Sequence, residues 1–170
     1  MKMRAPELQV SQWLSTDEEI TLEKYRGKVI LVEAFQMLCP GCVSHALPQA
    51  QRAAKVFAGQ DLVVLGLHTV FEHHQPQGSA AVLAAFLHEY RIQFPVGIDQ
   101  RTDDARLPQT MQTYQMRGTP TQLLIDREGN LFQQKFGGVD DMQLGADISL
   151  LLNSDQPDHS DDLLSNYISD

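Results

Sequence analysis

The sequence VILVEAFQMLCPGC (residues 29–42) decides the fold because it joins a strand, a cysteine motif and a helix. Its first seven residues are mostly apolar and partly β-branched, which predicts a buried strand. The motif Cys39-Pro40-Gly41-Cys42 ends the stretch, and a helical pattern follows it. These two cysteines are the whole cysteine content of the chain. The order strand, cysteine pair, helix is therefore the first feature to interpret.

A thiol in the first turn of a helix faces unpaired backbone N–H groups and the positive end of the helix dipole. Both favour the thiolate over the thiol. Cys39 is therefore predicted to be the exposed nucleophile. Cys42, one helical turn further on, is placed to resolve any mixed disulfide that Cys39 forms. Pro40 suits the first helical position because it has no N–H to lose. The motif predicts thiol–disulfide exchange, and its direction stays open.

The composition is that of an ordinary globular chain of 170 residues, 42% hydrophobic and 21% charged. The formal net charge of -9 and the pI near 5.0 argue against a nucleic acid as partner and against an anionic membrane surface. Residues 153–170 contain five aspartates and no lysine or arginine. We therefore predict one domain over residues 1–152 and an acidic tail over residues 153–170.

The sequence also gives an expectation for location. No apolar run approaches the length of a membrane span. The first six residues carry basic side chains, but no apolar segment typical of a signal peptide follows them. We expect a cytoplasmic protein without a membrane partner, or a periplasmic one if a leader has been removed.

Strand and helix patterns alternate along the chain, which predicts an α/β protein with a mixed sheet and helices on both faces. The expected strands are residues 9–14, 20–21, 29–35, 62–67, 95–98, 121–126 and 130–136. The expected helices are residues 41–57 with a kink at Pro48, a helix capped by Ser79, residues 109–114 and residues 140–152. A further helical turn is expected around residues 163–168.

Three segments carry a resemblance to a known family. They are GKVILVEAF (residues 27–35), the CPGC motif, and YQMRGTPT (residues 114–121) followed by LLID (residues 123–126). In this order they resemble the thioredoxin superfamily. Over about residues 5–152 the chain is most similar to the TlpA/ResA-type disulfide oxidoreductases.

The resemblance implies a thioredoxin-like fold with an extra strand and helix inserted before the Thr-Pro loop. It also implies an oxidoreductase that acts on protein disulfides and is recycled by a redox partner. No cofactor is predicted.

Glu33 is a carboxylate on an otherwise apolar strand, where a charge is costly unless it is solvated or has a function. Strand alternation places it on the face of Phe35, opposite Val32. Thioredoxin has an acidic residue at the matching position, which exchanges protons with the buried cysteine. The resemblance therefore implies that Glu33 is the general acid and base for Cys42, with a pKa raised by burial. The alternative is a glutamate that faces water at an edge.

The Thr-Pro loop is the other half of the site that the resemblance implies. It predicts a cis peptide bond before Pro120, with the backbone of Thr119 pairing with an extended substrate; otherwise a trans proline is expected. Leu38 stands where many thioredoxin relatives carry tryptophan, so the docking surface differs, and Met37 with Leu38 is expected to form an apolar patch. The predicted substrate-binding residues are Leu38, Pro40, Gly41, Thr119 and Pro120.

His68 ends the predicted strand that follows the first long helix. It either tunes Cys39 or contacts the substrate, or it is only packed in the core.

Two other functions stay open. A peroxiredoxin-like thiol peroxidase carries a hydroxyl three residues before its cysteine, where this chain has Gln36. A copper or zinc carrier would use both cysteines with His68 or His73. The sequence favours the oxidoreductase, and no metal is predicted.

Overall fold

The structure is a computed structural model that describes residues 2–154, so most of the predicted tail and its helical turn lie outside the described residues. Six strands form a mixed sheet in the order β1-β4-β3-β2-β5-β6. The strands are β1 (Val10–Leu14), β2 (Val29–Phe35), β3 (Leu62–His68), β4 (Val96–Asp99), β5 (Thr121–Ile125) and β6 (Leu131–Phe136). The helices are α1 (Leu47–Val56), α2 (His74–Gln77), α3 (Ala80–Glu89), α4 (Gln109–Thr113) and α5 (Asp141–Asn153). No helix within residues 2–154 is long and apolar enough to cross a membrane.

Strand β2 lies inside the sheet and has the bounds that the sequence predicts. It pairs in parallel with β3 and antiparallel with β5, and all seven of its residues are buried. Strand β4 is parallel to β3, whereas β1 and β6 add antiparallel edges. A strand buried on both faces needs a nearly continuous apolar sequence, which explains the composition of residues 29–35.

The two faces of the sheet carry separate cores because side chains alternate along each strand. Helices α1, α3 and α5 cover the first face, whose core includes Leu31, Phe35, Ala50, Leu83 and Ile148. The core on the second face includes Ile30, Val32, Leu65, Met111 and Tyr114. The alternation places Glu33 on the first face, together with Phe35.

Two strand–helix units, β3–α3 and β4–α4, lie between α1 and the Thr-Pro loop. They include the extra strand and helix that the resemblance predicts. Ser79 caps the start of α3, and its hydroxyl accepts a hydrogen bond from Val82 N. Asp140 caps the start of α5, and its carboxylate accepts from the N–H groups of Met142 and Gln143. These caps satisfy N–H groups that have no partner within the helix.

The helix after the cysteine motif contains an irregular turn. Helical backbone begins at Pro40, but Cys42–Ala46 form a π-helical turn before α1. The N–H of Leu47 donates to the carbonyl of Cys42, five residues back. Pro48 has no N–H to donate to Ser44 O, so the regular α-helical pattern cannot continue through it. The irregularity predicted at Pro48 thus includes a wider turn that starts at Cys42.

The strand predicted at residues 20–21 is wrong. Ile20 is buried in the second core, in an irregular segment. The backbone N–H groups of Leu22 and Glu23 donate to the carboxylate of Glu7, each at 2.8 Å. A side chain here supplies the acceptors that a neighbouring strand would otherwise provide. Helix α2, a single helical turn, was not predicted from the sequence.

Close packing around β3 gives the first testable prediction. A Cβ at Gly66 would lie 2.9 Å from Val96 Cγ2 and 3.3 Å from the Phe35 ring. Gly66→Ala should therefore lower the free energy of unfolding by about 1–3 kcal/mol, measured by denaturant titration. Gly145→Ala is the control, because no described atom outside the adjacent residues and the local helix backbone lies within 4 Å of its new Cβ. That substitution in α5 should stabilise by up to about 1 kcal/mol. Equal effects of the two substitutions would contradict the described packing.

Candidate active site

Cys39 and Cys42 are joined by a disulfide, with their Cα atoms 5.2 Å apart. Cys42 is fully buried, whereas Cys39 is only partly covered. The N–H of Cys42 donates to Cys39 Sγ at 3.2 Å, and the N–H of Val43 donates to the carbonyl of Cys39. The sulfur of Cys39 therefore caps the helical segment. In the reduced protein the same N–H group and the helix dipole favour a thiolate at this sulfur.

The Thr-Pro loop lies directly beside this sulfur. The peptide bond between Thr119 and Pro120 is cis, as the resemblance predicts. The carbonyl oxygen of Thr119 lies 3.6 Å from Cys39 Sγ. A Cβ added to Gly41 would lie 3.6 Å from Pro120 Cδ, so this glycine faces the loop. The structure thus brings four of the five predicted substrate-binding residues around Cys39: Pro40, Gly41, Thr119 and Pro120.

A cleft of about 240 Å³ opens beside Cys39. The fifth predicted residue, Leu38, lines it together with Phe71 and Thr119, and Leu38 is 56% exposed. The apolar patch predicted from Met37 and Leu38 needs a correction, because Met37 is buried in the first core. Phe71, which comes from the segment after β3, supplies the second apolar side chain of the cleft instead.

Glu33 is buried and points into the first core. It is only 1% exposed, which excludes the alternative of a water-facing glutamate. Strand β2 contacts the π-helical turn that begins with Cys42, so the strand that carries Glu33 packs against the segment that carries the buried cysteine. Burial raises the pKa of Glu33 to about 8, although a hydrogen bond donated by Gln122 opposes the rise. Its carboxyl group can therefore change protonation state near neutral pH.

Two glutamines connect Glu33 to the protein surface. Gln122 Nε2 donates to Glu33 Oε2 and to Gln49 Oε1, both at 3.1 Å. Gln49 Nε2 in turn donates to Asp141 Oδ1 at 2.8 Å. Neither glutamine was predicted as a site residue from the sequence. The signal was the one that singled out Glu33, namely a polar residue at a buried position of a strand or helix.

His68 is buried at the end of β3, with its ring 5.3 Å from that of Phe35. Its Nε2 has no hydrogen-bond partner within the described part of the chain. Burial lowers the pKa of His68 to about 4, which keeps the ring neutral at physiological pH. The ring lines a neighbouring cleft of about 340 Å³ with His74 and Arg101, rather than the cleft of Cys39. A tuning role for His68 stays a prediction.

The metal-carrier alternative requires several ligands within reach of one ion. Over residues 2–154, no group of three or more histidine, cysteine, aspartate or glutamate side chains is close enough to hold a metal. The structure therefore does not bring His68 or His73 together with the two cysteines as the ligand set that this alternative needs.

The mixed sheet, the cysteine pair at the start of a helix and the cis-proline loop facing it together define the class of protein. The chain is a thiol–disulfide oxidoreductase of the thioredoxin fold. Its sequence matches the AhpC/TSA family over residues 1–134, and the chain belongs to that family, among the redoxins of the thioredoxin superfamily.

Solved structures support this assignment. A crystal structure of a thioredoxin-like superfamily protein is 55% identical, with a TM-score of 0.85, and the match covers 88% of this chain and 96% of that one. A thiol-disulfide isomerase from Corynebacterium glutamicum is 44% identical, with a TM-score of 0.81. That match covers 86% of this chain and 94% of the isomerase.

Curated relatives are more distant and much longer. Protein DipZ of Mycobacterium bovis and of Mycobacterium tuberculosis is 29% identical to this chain over 157 residues in each species. The match covers 90% of this chain but 21% of DipZ. The chain thus spans about a fifth of the length of the curated relatives it matches.

The raised pKa of Glu33 predicts a pH dependence of stability. Between pH 4.5 and about 8 the folded protein keeps a proton on Glu33 that an unfolded glutamate has lost. The free energy of unfolding therefore falls as pH rises through this window. Glu33→Gln should remove that fall, so the oxidised variant gains stability over the wild type as pH rises. Each pKa unit is worth about 1.4 kcal/mol, so the gain should reach a few kcal/mol near pH 8.

The measurement is denaturant unfolding of the oxidised proteins across this pH range. Exposed Glu89 provides the matched control. Glu89→Gln should follow the wild-type pH dependence. A constant difference between Glu33→Gln and the wild type at every pH would show that Glu33 does not titrate as the structure requires.

Proposed function

We propose that this protein reduces disulfides in polypeptide substrates through its CPGC motif, with Cys39 as the nucleophile and Cys42 as the resolving thiol. The position of the two sulfurs is the observation that carries the proposal. Cys39 is partly exposed beside a cleft and receives a hydrogen bond from the N–H of Cys42. Cys42 is buried behind it and can be reached by Cys39 but not by a large substrate.

In the first step, the Cys39 thiolate attacks one sulfur of the substrate disulfide. The substrate S–S bond breaks and a mixed disulfide forms between Cys39 and the substrate. The other substrate sulfur leaves as a thiolate and takes a proton from solvent. The cleft walls at Leu38 and Thr119 would contact the substrate chain on either side of its cysteine.

In the second step, the Cys42 thiol loses its proton and attacks Cys39 Sγ. The substrate leaves as its second thiolate, and the disulfide between Cys39 and Cys42 forms. Glu33 is the proposed acceptor of the Cys42 proton, since a base is most effective when its pKa lies near the working pH. Its pKa of about 8 meets that condition.

The cycle transfers two electrons from the cysteine pair to the substrate, so a dithiol reductant must restore the pair. The existence of a recycling partner stays a prediction from the sequence, as does a cytoplasmic location, or a periplasmic one if a leader has been removed. Protein disulfides as substrates are consistent with the name of the isomerase relative from C. glutamicum. Because the chain spans only a fifth of DipZ, activities of that whole protein are not carried over.

The peroxidase alternative is less well supported by the site. The position three residues before Cys39, where a peroxiredoxin has a hydroxyl, is Gln36. Its amide oxygen accepts from the N–H groups of Phe71 and Glu72, and its amide nitrogen donates to Thr119. An amide with these partners is already engaged and would have to give up a hydrogen bond to contact a peroxide.

Trapping of the mixed disulfide tests the proposal. Reduced Cys42→Ser should accumulate a covalent adduct with a disulfide-containing polypeptide such as insulin, because the resolving thiol is gone. A thiol reductant should release the adduct, which mass spectrometry can identify. Cys39→Ser is the control and should form none. Equal trapping by both variants, or trapping by neither, would refute the assigned roles.

Two further measurements separate the alternatives. Equilibration of the cysteine pair with glutathione gives its reduction potential, and a value more oxidising than that of glutathione would contradict a reducing role. Consumption of hydrogen peroxide that outpaces insulin reduction, with the same thiol donor, would favour the peroxidase.

A further inference from the structure

Two glutamines that the sequence does not assign to the site line the cleft of Cys39 and are almost fully buried in its wall. Gln36 directly follows β2 and is 3% exposed, and Gln77 ends α2 and is 2% exposed. Gln77 Nε2 donates to Gln36 Oε1 at 3.4 Å. We call these two residues the amide pair. Buried amides are costly unless they are hydrogen-bonded, so their partners indicate what they hold in place.

Gln36 connects two segments that are distant in sequence. Its Oε1 accepts from the backbone N–H groups of Phe71 at 3.2 Å and Glu72 at 3.3 Å. Its Nε2 donates to Thr119 Oγ1 at 3.3 Å. The side chain therefore joins the segment after β3 to the cis-proline loop.

Gln77 connects a third segment to these two. Its Oε1 accepts from the N–H of Leu38 at 3.0 Å, and its Nε2 donates to the carbonyl of Glu72 at 2.9 Å. The orientations of both amides follow from their backbone partners. An N–H group can only donate, so the oxygen of Gln36 must face Phe71 and the oxygen of Gln77 must face Leu38.

The segments held by the amide pair are the walls of the cleft. Leu38 precedes Cys39, Phe71 lies across from it, and Thr119 places its carbonyl 3.6 Å from Cys39 Sγ. Each wall is irregular backbone, whose position depends on its partners more than a strand's does. The amide pair therefore fixes the spacing of three loops around one sulfur.

We propose that Gln36 and Gln77 are positioning residues for polypeptide substrates, which set the cleft so that the chain beside the substrate disulfide fits against Leu38, Phe71 and Thr119. This inference rests on the proposed function. Within residues 2–154 neither amide has a hydrogen bond to a sulfur, so the proposed effect of the pair is on the walls and not on the chemistry. A polypeptide needs the walls, whereas a small alkylating reagent needs only access to Cys39. The two kinds of reaction should therefore respond differently to loss of the pair.

The test compares both reactions in Gln36→Leu and Gln77→Leu. For insulin reduction, kcat/KM should fall about tenfold or more, mainly through a higher KM, because small displacements of positioning groups have large effects on rate. The rate of alkylation of reduced Cys39 by iodoacetamide should change by less than about twofold. If the amides only stabilised the fold, their loss would change insulin reduction and alkylation of Cys39 to a similar extent.

A conservative variant and a double variant sharpen the result. Gln36→Glu keeps an acceptor for the N–H groups of Phe71 and Glu72, and the hydroxyl of Thr119 can donate to the new carboxylate. It should recover part of the activity lost in Gln36→Leu. The two Leu substitutions together should cost less than the product of the single effects, because either one already disrupts the shared network.

Gln51→Leu is the matched control. Gln51 also makes two amide hydrogen bonds, to the carbonyls of Tyr90 and Arg91, but it does not line the cleft. Its insulin reduction should equal that of the wild type. Thermal unfolding identifies the folded variants, and if Gln36→Leu does not fold, Gln77→Leu and Gln36→Glu provide the comparison.

Two outcomes would overturn the inference. One is an unchanged KM for insulin in the folded variants, and the other is an equal loss of insulin reduction and alkylation. Trapping by Cys42→Ser distinguishes these from failure of the proposed function. Intact trapping with an unchanged KM removes only the role of the amide pair, whereas absent trapping removes the function itself.

Discussion

The burial of β2 on both faces and its pairing on both edges is the constraint on which the site depends. Strands β3 and β5 use the hydrogen-bonding groups along β2, and helices on each face cover its side chains. The end of this strand is therefore held firmly, and the CPGC motif begins four residues beyond it. The same constraint places Glu33 in the core. Side chains alternate between the two faces of the sheet, and both faces of β2 are covered, so neither orientation would expose this side chain.

Neutral amide side chains provide hydrogen-bond partners for polar groups that are buried in the core. Gln122 donates a hydrogen bond to Glu33 and a second one to Gln49. The amide pair of Gln36 and Gln77 satisfies backbone groups in the walls of the cleft. An amide both donates and accepts without adding net charge, so it avoids the desolvation cost of a second buried ion. No cation among these partners offsets burial at Glu33, which is why its pKa stays high.

Local signals made much of this predictable from sequence. Strand β2, the helix start at the cysteine motif, the cap at Ser79 and the start of the last helix near Asp140 depend on residues close in the chain, and the structure has them all. The cis bond at Pro120 followed from the resemblance rather than from physical reasoning, because its local sequence fits a trans proline as well. The amide partners could not be predicted, since Gln36 and Thr119 meet only when residues 83 positions apart fold together.

The charged side chains that line the cleft bear on how a thiolate at Cys39 is stabilised. The residues that line it include no lysine or arginine, and Glu72 is the one carboxylate among them within the described residues. A thiolate at Cys39 is therefore favoured by the N–H of Cys42 and the helix dipole rather than by a mobile cation. A fixed donor at 3.2 Å is screened by salt much less than a surface ion pair. The surroundings of the Cys39 sulfur thus come from the local CPGC turn, whereas the walls of the cleft are positioned by contacts distant in sequence. If the walls receive a polypeptide as proposed, substitutions there can alter which polypeptide fits without altering how the sulfurs react.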